Sequence, residues 1–232
     1  MSGKEITGSG APAEVTAFVE RLRNLPAERT GGSGRLVFAL DATASREPTW
    51  DLASEVQGEM FLEAGRVGGL QVQLVYYRGF GECKASPWVR DGQELVRLMR
   101  GVRCVAGRTQ IARVLRHAAS EARRAPTPAL IFVGDCVEEN VDELGQLAGE
   151  LGLLGTRAFL FHEGRDPKAA QAFKHIAELT RGACFPFSSG SAAQLRALLG
   201  GVAAYAAGGR TALTALARRS GGAVQLLERQ LR

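Results

Sequence analysis

The sequence predicts an α/β fold with a mostly parallel sheet. Short apolar runs bounded by polar loops alternate along the chain with segments of helical periodicity. Most of these runs are separated by enough residues for a right-handed helical crossover, the connection that parallel strands need. One exception is predicted. Residues 79–81, Gly-Phe-Gly, join two strand-like runs, and so short a link requires an antiparallel neighbour.

The elements follow in chain order. Residues 11–25 carry Val15, Phe18, Val19, Leu22 and Leu25 at helical spacing, and Pro26 with the Gly-Gly-Ser-Gly stretch at 31–34 ends that helix in a joint. RLVFALD, 35–41, is an apolar run suited to a strand buried on both faces. Pro48 opens a helix to about residue 64, with Leu52, Val56, Met60 and Phe61 on its apolar side. Residues 70–77 alternate as a strand, and 82–86 form its antiparallel partner. Asp91 caps a helix to about residue 99, and Thr109 begins another that runs to 124 with Ile111, Val114, Leu115 and Ala118 as its stripe. Strand 128–135, helix 140–154, strand 156–162, helix 167–180, strand 183–187 and helix 191–207 complete the alternation. The chain therefore divides into an N-terminal helix and joint (1–34), the α/β domain (35–207) and a C-terminal helical tail (208–232).

Composition excludes several classes. The chain has 232 residues, 45% hydrophobic and 23% charged, which are ordinary globular values and not those of a disordered or collagen-like chain. No apolar tract approaches the roughly 18 residues of a membrane span, and the N-terminal MSGKEITGSG lacks the apolar core of a signal peptide. Cys83, Cys104, Cys136 and Cys184 show no C-x-x-C spacing and no zinc-type pattern, so free thiols in a reducing cytoplasm are expected. A net charge of +5 with dispersed arginines does not form a nucleic-acid footprint.

Ligands of an open α/β sheet bind beyond the carboxyl ends of the strands. Asp41, Thr43 and Ser45 directly follow the first strand, Thr109 opens a helix, and Asp135 ends the strand at 128–135. Alone, Asp41, Asp135 and Thr109 would each read as a capping residue. Together with Thr43 and Ser45 they form a set of oxygen donors without His or Cys, which suits Mg²⁺ or Mn²⁺ better than zinc.

These segments resemble a known family. DATAS (41–45) is similar to the D-x-S-x-S signature of the von Willebrand factor type A (VWA) domain, with Thr43 in place of the first serine. GRTQI (107–111) resembles its threonine loop, and LIFVGD (130–135) its last aspartate-bearing strand, in the family's order. Gly134 and Cys136 depart from the family's usual residues around that aspartate. The resemblance spans about residues 35–205. It implies a three-layer Rossmann-like fold with helices on both faces and an antiparallel edge strand. It also implies a metal-ion-dependent adhesion site (MIDAS) in which Asp41, Thr43, Ser45, Thr109 and Asp135 surround Mg²⁺ or Mn²⁺. The implied role is non-catalytic protein binding in an intracellular bacterial assembly, with a partner's Asp or Glu displacing a metal-bound water. Arg46, Arg78, Glu138 and His162 are expected on the rim. Glu138 and Glu139 read as solvated loop or first-turn charges, and Trp50, Tyr76, Tyr77 and Phe80 as packing residues.

The alternative is a metal-dependent phosphatase, or a phosphate- or nucleotide-binding regulator, on the same sheet. An aspartate-nucleophile phosphatase needs a second carboxylate two positions after the nucleophile, where this chain has Thr43. Cys136 has no evident histidine partner. Neither a phosphate-binding G-x-x-x-x-G-K-[ST] loop, a G-x-G-x-x-G fingerprint nor a G-x-S-x-G elbow is present. The free N–H groups of the helix opening at Thr109 keep the regulator reading open.

Overall fold

In the computed structural model, residues 34–48, Trp50, 70–187 and scattered helical positions between 197 and 216 are described. The helices read at 11–25 and 48–64, apart from Pro48 and Trp50, lie outside the described residues, as does the tail beyond 216. Described helical positions fall on both sides of residue 208.

Six strands form one sheet: β1 (Gly34–Asp41), β2 (Leu70–Arg78), β3 (Glu82–Ala85), β4 (Ala129–Gly134), β5 (Arg157–Glu163) and β6 (Ala183–Phe187). Their spatial order is β3-β2-β1-β4-β5-β6. Every pairing is parallel except β2 with β3, the antiparallel edge expected from the Gly79–Gly81 link. Gly79 turns the chain at φ +58°, a left-handed conformation in which glycine carries no Cβ penalty.

Both faces of β1 are covered, which explains its unbroken apolar sequence. Leu36, Phe38 and Leu40 face one core and Val37 and Ala39 the other, all fully buried. The first core is closed by Leu95 and Met99 of α1 (Gly92–Arg100), by Trp50, and by Val202 and Ala206. The second lies beneath α2 (Ile111–Arg124), α3 (Val141–Leu153) and α4 (Pro167–Leu179), through residues such as Val114, Leu144 and Phe173. The result is the three-layer arrangement: helices, sheet, helices.

Local signals set most helix starts. Asp91, Asn140 and Asp166 accept hydrogen bonds from the first backbone N–H groups of α1, α3 and α4. The start of α2 differs from the expected one: it begins at Ile111, not at Thr109, and its N-cap Gln110 makes no side-chain cap bond. Its free N–H groups are met by a distant carboxylate described below.

The topology also creates a switch point in the sheet. From β1 the chain builds outward through β2 and β3, then crosses back to add β4, β5 and β6 on the other side. Strand order therefore reverses between β1 and β4, and the crevice beyond their carboxyl ends is the switch point where open α/β sheets bind ligands.

Candidate metal centre

Asp41 is the last residue of β1 and fully buried. Alternation along the strand points it to the same face as Val37 and Ala39. Its Oδ1 accepts two hydrogen bonds from Thr43, one from the backbone N–H at 2.8 Å and one from the hydroxyl at 2.6 Å. Its Oδ2 accepts one from the Tyr77 hydroxyl at 2.8 Å. Tyr77 is the register partner of Asp41 on β2, so strand pairing itself brings the two side chains together. Tyr77 was expected only to pack; its ring does stack on Phe132, at 6.2 Å between centroids. Its hydroxyl is the feature that local sequence does not disclose.

Thr43 and Ser45 lie on the short 3₁₀ turn after β1, their hydroxyl oxygens 3.1 Å apart. Asp135 follows β4, the strand beside β1, and is close enough to raise the Asp41 pKa. Burial is the larger cause of that rise, and the hydrogen bonds from Thr43 and Tyr77 oppose it. Burial beside Asp41 also pushes the Tyr77 hydroxyl well above its ordinary value, so it stays a donor. Asp135 Oδ1 is buried and has no hydrogen-bond partner.

Thr109 is clamped to the loop that carries Asp135. Glu138 N–H donates to Thr109 Oγ1 at 3.0 Å, and Thr109 N–H donates to Glu138 Oε2 at 2.9 Å. Glu139 completes the clamp: its two carboxylate oxygens accept from Ile111 N–H at 2.7 Å and Ala112 N–H at 2.8 Å. These are the orphan donors of α2, so Glu139 caps a helix other than its own. Gln110 Nε2 ties the same segment to the carbonyls of Arg78 and Gly79.

The rim residues divide. Glu138 is exposed, and Arg78 is partly exposed, ion-paired to Glu82 and laid over the Tyr76 ring. Arg46 and His162 are not on an accessible rim. Arg46 is 1% exposed, and its Nε lies 2.6 Å from Glu163 Oε2, which ties the 3₁₀ turn to the end of β5. His162 shares its sheet face with Ala158 and Leu160 and packs edge-on against Phe173 of α4.

The five oxygen-bearing residues thus lie on three neighbouring loops at the switch point. Among the described residues, no group of three or more His, Cys, Asp or Glu is placed to hold a metal. A site here would have two carboxylates and three hydroxyls, a hard-oxygen set that fits Mg²⁺ or Mn²⁺. The unpartnered Asp135 Oδ1 has a lone pair directed at no protein donor. Asp41 Oδ1 is saturated by Thr43, so Asp41 could approach a cation through Oδ2 or through water.

Comparison with solved structures decides the architecture. A von Willebrand factor type A protein from Catenulispora acidiphila superposes with a TM-score of 0.60 at 15% identity, over 75% of this chain and 44% of that one. This chain has the VWA fold. The SpRpn10 VWA domain gives 0.59 at 11% identity, covering 71% of this chain and 94% of that domain. The pilus adhesin SpaC from Lactobacillus rhamnosus GG gives 0.62 at 11% identity, over 78% of this chain and 30% of the adhesin. By sequence, no family model matches and no curated protein matches.

Proposed function

We propose that this VWA-fold domain is a divalent-cation-dependent protein-recognition module without catalytic activity, working in a cytoplasmic assembly. The observation that carries the reading is the convergence of Asp41 and Asp135 at the switch point. Asp41 is fully buried, Asp135 Oδ1 lacks a partner, and no described Lys or Arg pairs with either. Two neighbouring carboxylates without a counter-charge favour a cation between them.

Asp41, Thr43, Ser45, Thr109 and Asp135 would hold Mg²⁺ or Mn²⁺, directly or through water. When bound, the ion supplies an exchangeable coordination position that a partner's Asp or Glu can take. The chain's own residues prepare that event. Thr43 and Tyr77 orient the Asp41 carboxylate, and the Thr109–Glu138–Glu139 clamp holds two of the donor loops at a fixed separation. The Arg46–Glu163 pair anchors the turn that carries Ser45.

Further features support a binding role. Burial raises the Cys136 thiol above its ordinary value and Cys104 to about 11, so neither is an activated nucleophile. All four cysteines are free, which accords with a reducing compartment. Among the described residues no helix is long and apolar enough to cross a membrane. One of the structural neighbours is by name a pilus adhesin, and attachment to other molecules is the role proposed here for the shared fold.

The test is calorimetric titration of Mg²⁺ and Mn²⁺ into metal-free protein, beside Asp41→Ala and Asp135→Ala checked for folding by circular dichroism. Saturable binding lost in both folded variants is the expected result. Equal binding by all three proteins would overturn the assignment.

A further inference from the structure

Beside the candidate centre the structure exposes a second feature that the metal does not explain. Phe80, at the tip of the β2–β3 turn, is 79% exposed, and Val105 on the loop before Thr109 is 44% exposed. The two lie on one platform. Gly79 N–H donates to Val105 carbonyl at 3.4 Å, Arg108 N–H to Gly79 carbonyl at 3.1 Å, and Arg113 Nη1 to Gly81 carbonyl at 2.6 Å. The approach is so close that a Cβ on Gly107 would lie 2.0 Å from Gly79 oxygen. Val105 N–H donates in turn to Ala42 carbonyl at 3.0 Å, joining the platform to the loop that follows Asp41.

An aromatic ring held in water on a rigid turn contributes nothing to the core. A lone exposed apolar side chain is ordinary, but two carried on one backbone platform with a polar border have the make-up of a contact surface. The border here is basic. Residues 100–113 contain Arg100, Arg103, Arg108 and Arg113 and no acidic residue, and all four arginines are exposed. The neighbouring acids are engaged elsewhere: Glu82 with Arg78 and Lys84, Glu138 with Thr109, and Glu139 with α2.

We propose that the Phe80–Val105 platform is a docking face for an acidic peptide segment of a partner, one that sets a bulky apolar side chain against Phe80 and carboxylates against Arg108 and Arg103. Charge complementarity selects this occupant. A single-stranded nucleic acid is disfavoured because it needs successive aromatic faces, and this platform has one aromatic ring beside an aliphatic Val105. The proposal rests on the protein-recognition reading above but not on its metal. It names the second determinant a partner must carry.

The experiment selects phage-displayed random peptides on the full chain, in Mg²⁺ and separately in chelator. Synthetic versions are then measured by fluorescence polarisation against wild type, Phe80→Ser, Phe80→Leu, Arg108→Glu and Asp135→Ala, all checked by circular dichroism. Expected peptides pair Asp or Glu with a bulky apolar residue. Their affinity falls about ten-fold or more in Phe80→Ser and Arg108→Glu, and is largely kept in Phe80→Leu. No enrichment, or affinities indifferent to Phe80→Ser and Arg108→Glu, would overturn the proposal. So would tighter binding of oligo-dT than of any peptide with loss in Arg108→Glu, which would assign the face to nucleic acid. Peptides that bind in chelator and are lost in Phe80→Ser keep the docking face and show that it works without the metal, whose own test is the calorimetric titration above. Peptides lost in Asp135→Ala but not in Phe80→Ser overturn the docking face and leave the metal reading standing.

Discussion

Glu139→Ala is the sharpest test of how the site is built. The Glu139 carboxylate accepts the N–H groups of Ile111 and Ala112 at 2.7 and 2.8 Å, both at the start of α2. Hydrogen bonds to a charged acceptor contribute about 1.5–3 kcal/mol each, and a favourably placed charge at a helix N-terminus adds about 0.3–1 kcal/mol. Glu139 is only partly buried, so water can reach the freed N–H groups and the lower end of the range applies. The expected loss is about 2–4 kcal/mol in urea denaturation with an unchanged slope, or roughly 5–15 °C in melting temperature for a chain of this size. Glu139→Gln keeps one acceptor and loses the charge, so its cost falls to about half. Amide hydrogen exchange at Ile111 and Ala112 should accelerate in Glu139→Ala, with α3 and α4 protected as before. A loss below about 0.5 kcal/mol, with exchange at those two amides unaltered, would show that the carboxylate does not cap α2, and the clamp argument would fall.

Three further outcomes follow from the same geometry. The raised Asp41 pKa contributes stability that is present below its ordinary value of 3.8 and is lost as pH rises through the raised value. Asp41→Asn should therefore melt higher than wild type at pH 7 without metal, show a flatter pH dependence above about 4, and fail to bind Mg²⁺ in calorimetry. Tyr77→Phe removes the only hydrogen bond that Asp41 Oδ2 accepts among the described residues; denaturation should show a loss of about 1–3 kcal/mol, recovered in part by adding Asp41→Asn. Gly107→Ala places a Cβ 2.0 Å from Gly79 oxygen, and the forced separation of turn and loop should cost about 1–3 kcal/mol in denaturation while lowering Mg²⁺ affinity.

What could be read from sequence depended on distance along the chain. β1 and β4 were legible because strands buried on both faces must be apolar throughout, and the edge strand because three residues cannot cross over a sheet. The starts of α1, α3 and α4 were legible because each cap is the preceding residue. The start of α2 was misread because its cap, Glu139, lies 28 residues beyond Ile111. Arg46 looked like a surface arginine for the same reason: Glu163 meets it only after β4 and β5 have formed. His162 did carry a signal. It continues the alternation of Ala158 and Leu160 toward the helix-covered face, and that pattern outweighs its polarity.

The charges at this end of the sheet argue for a purpose beyond folding. Arg46 is matched to Glu163, Arg78 to Glu82, Glu138 to Thr109 and Glu139 to α2. Each of these groups has a partner that offsets its desolvation. Asp41 and Asp135 differ: Asp135 adds to burial in raising the Asp41 pKa, Asp135 Oδ1 stands without a donor, and Asn at both positions would remove the two charges. Three donors surround Asp41 Oδ1 and Oδ2, enough to orient the carboxylate but not to neutralise it. A folding requirement alone would leave such a pair unexplained. The cation proposed above would offset that unfavourable pairing and satisfy the orphaned oxygen, and stability at neutral pH would then depend on the same ion as recognition.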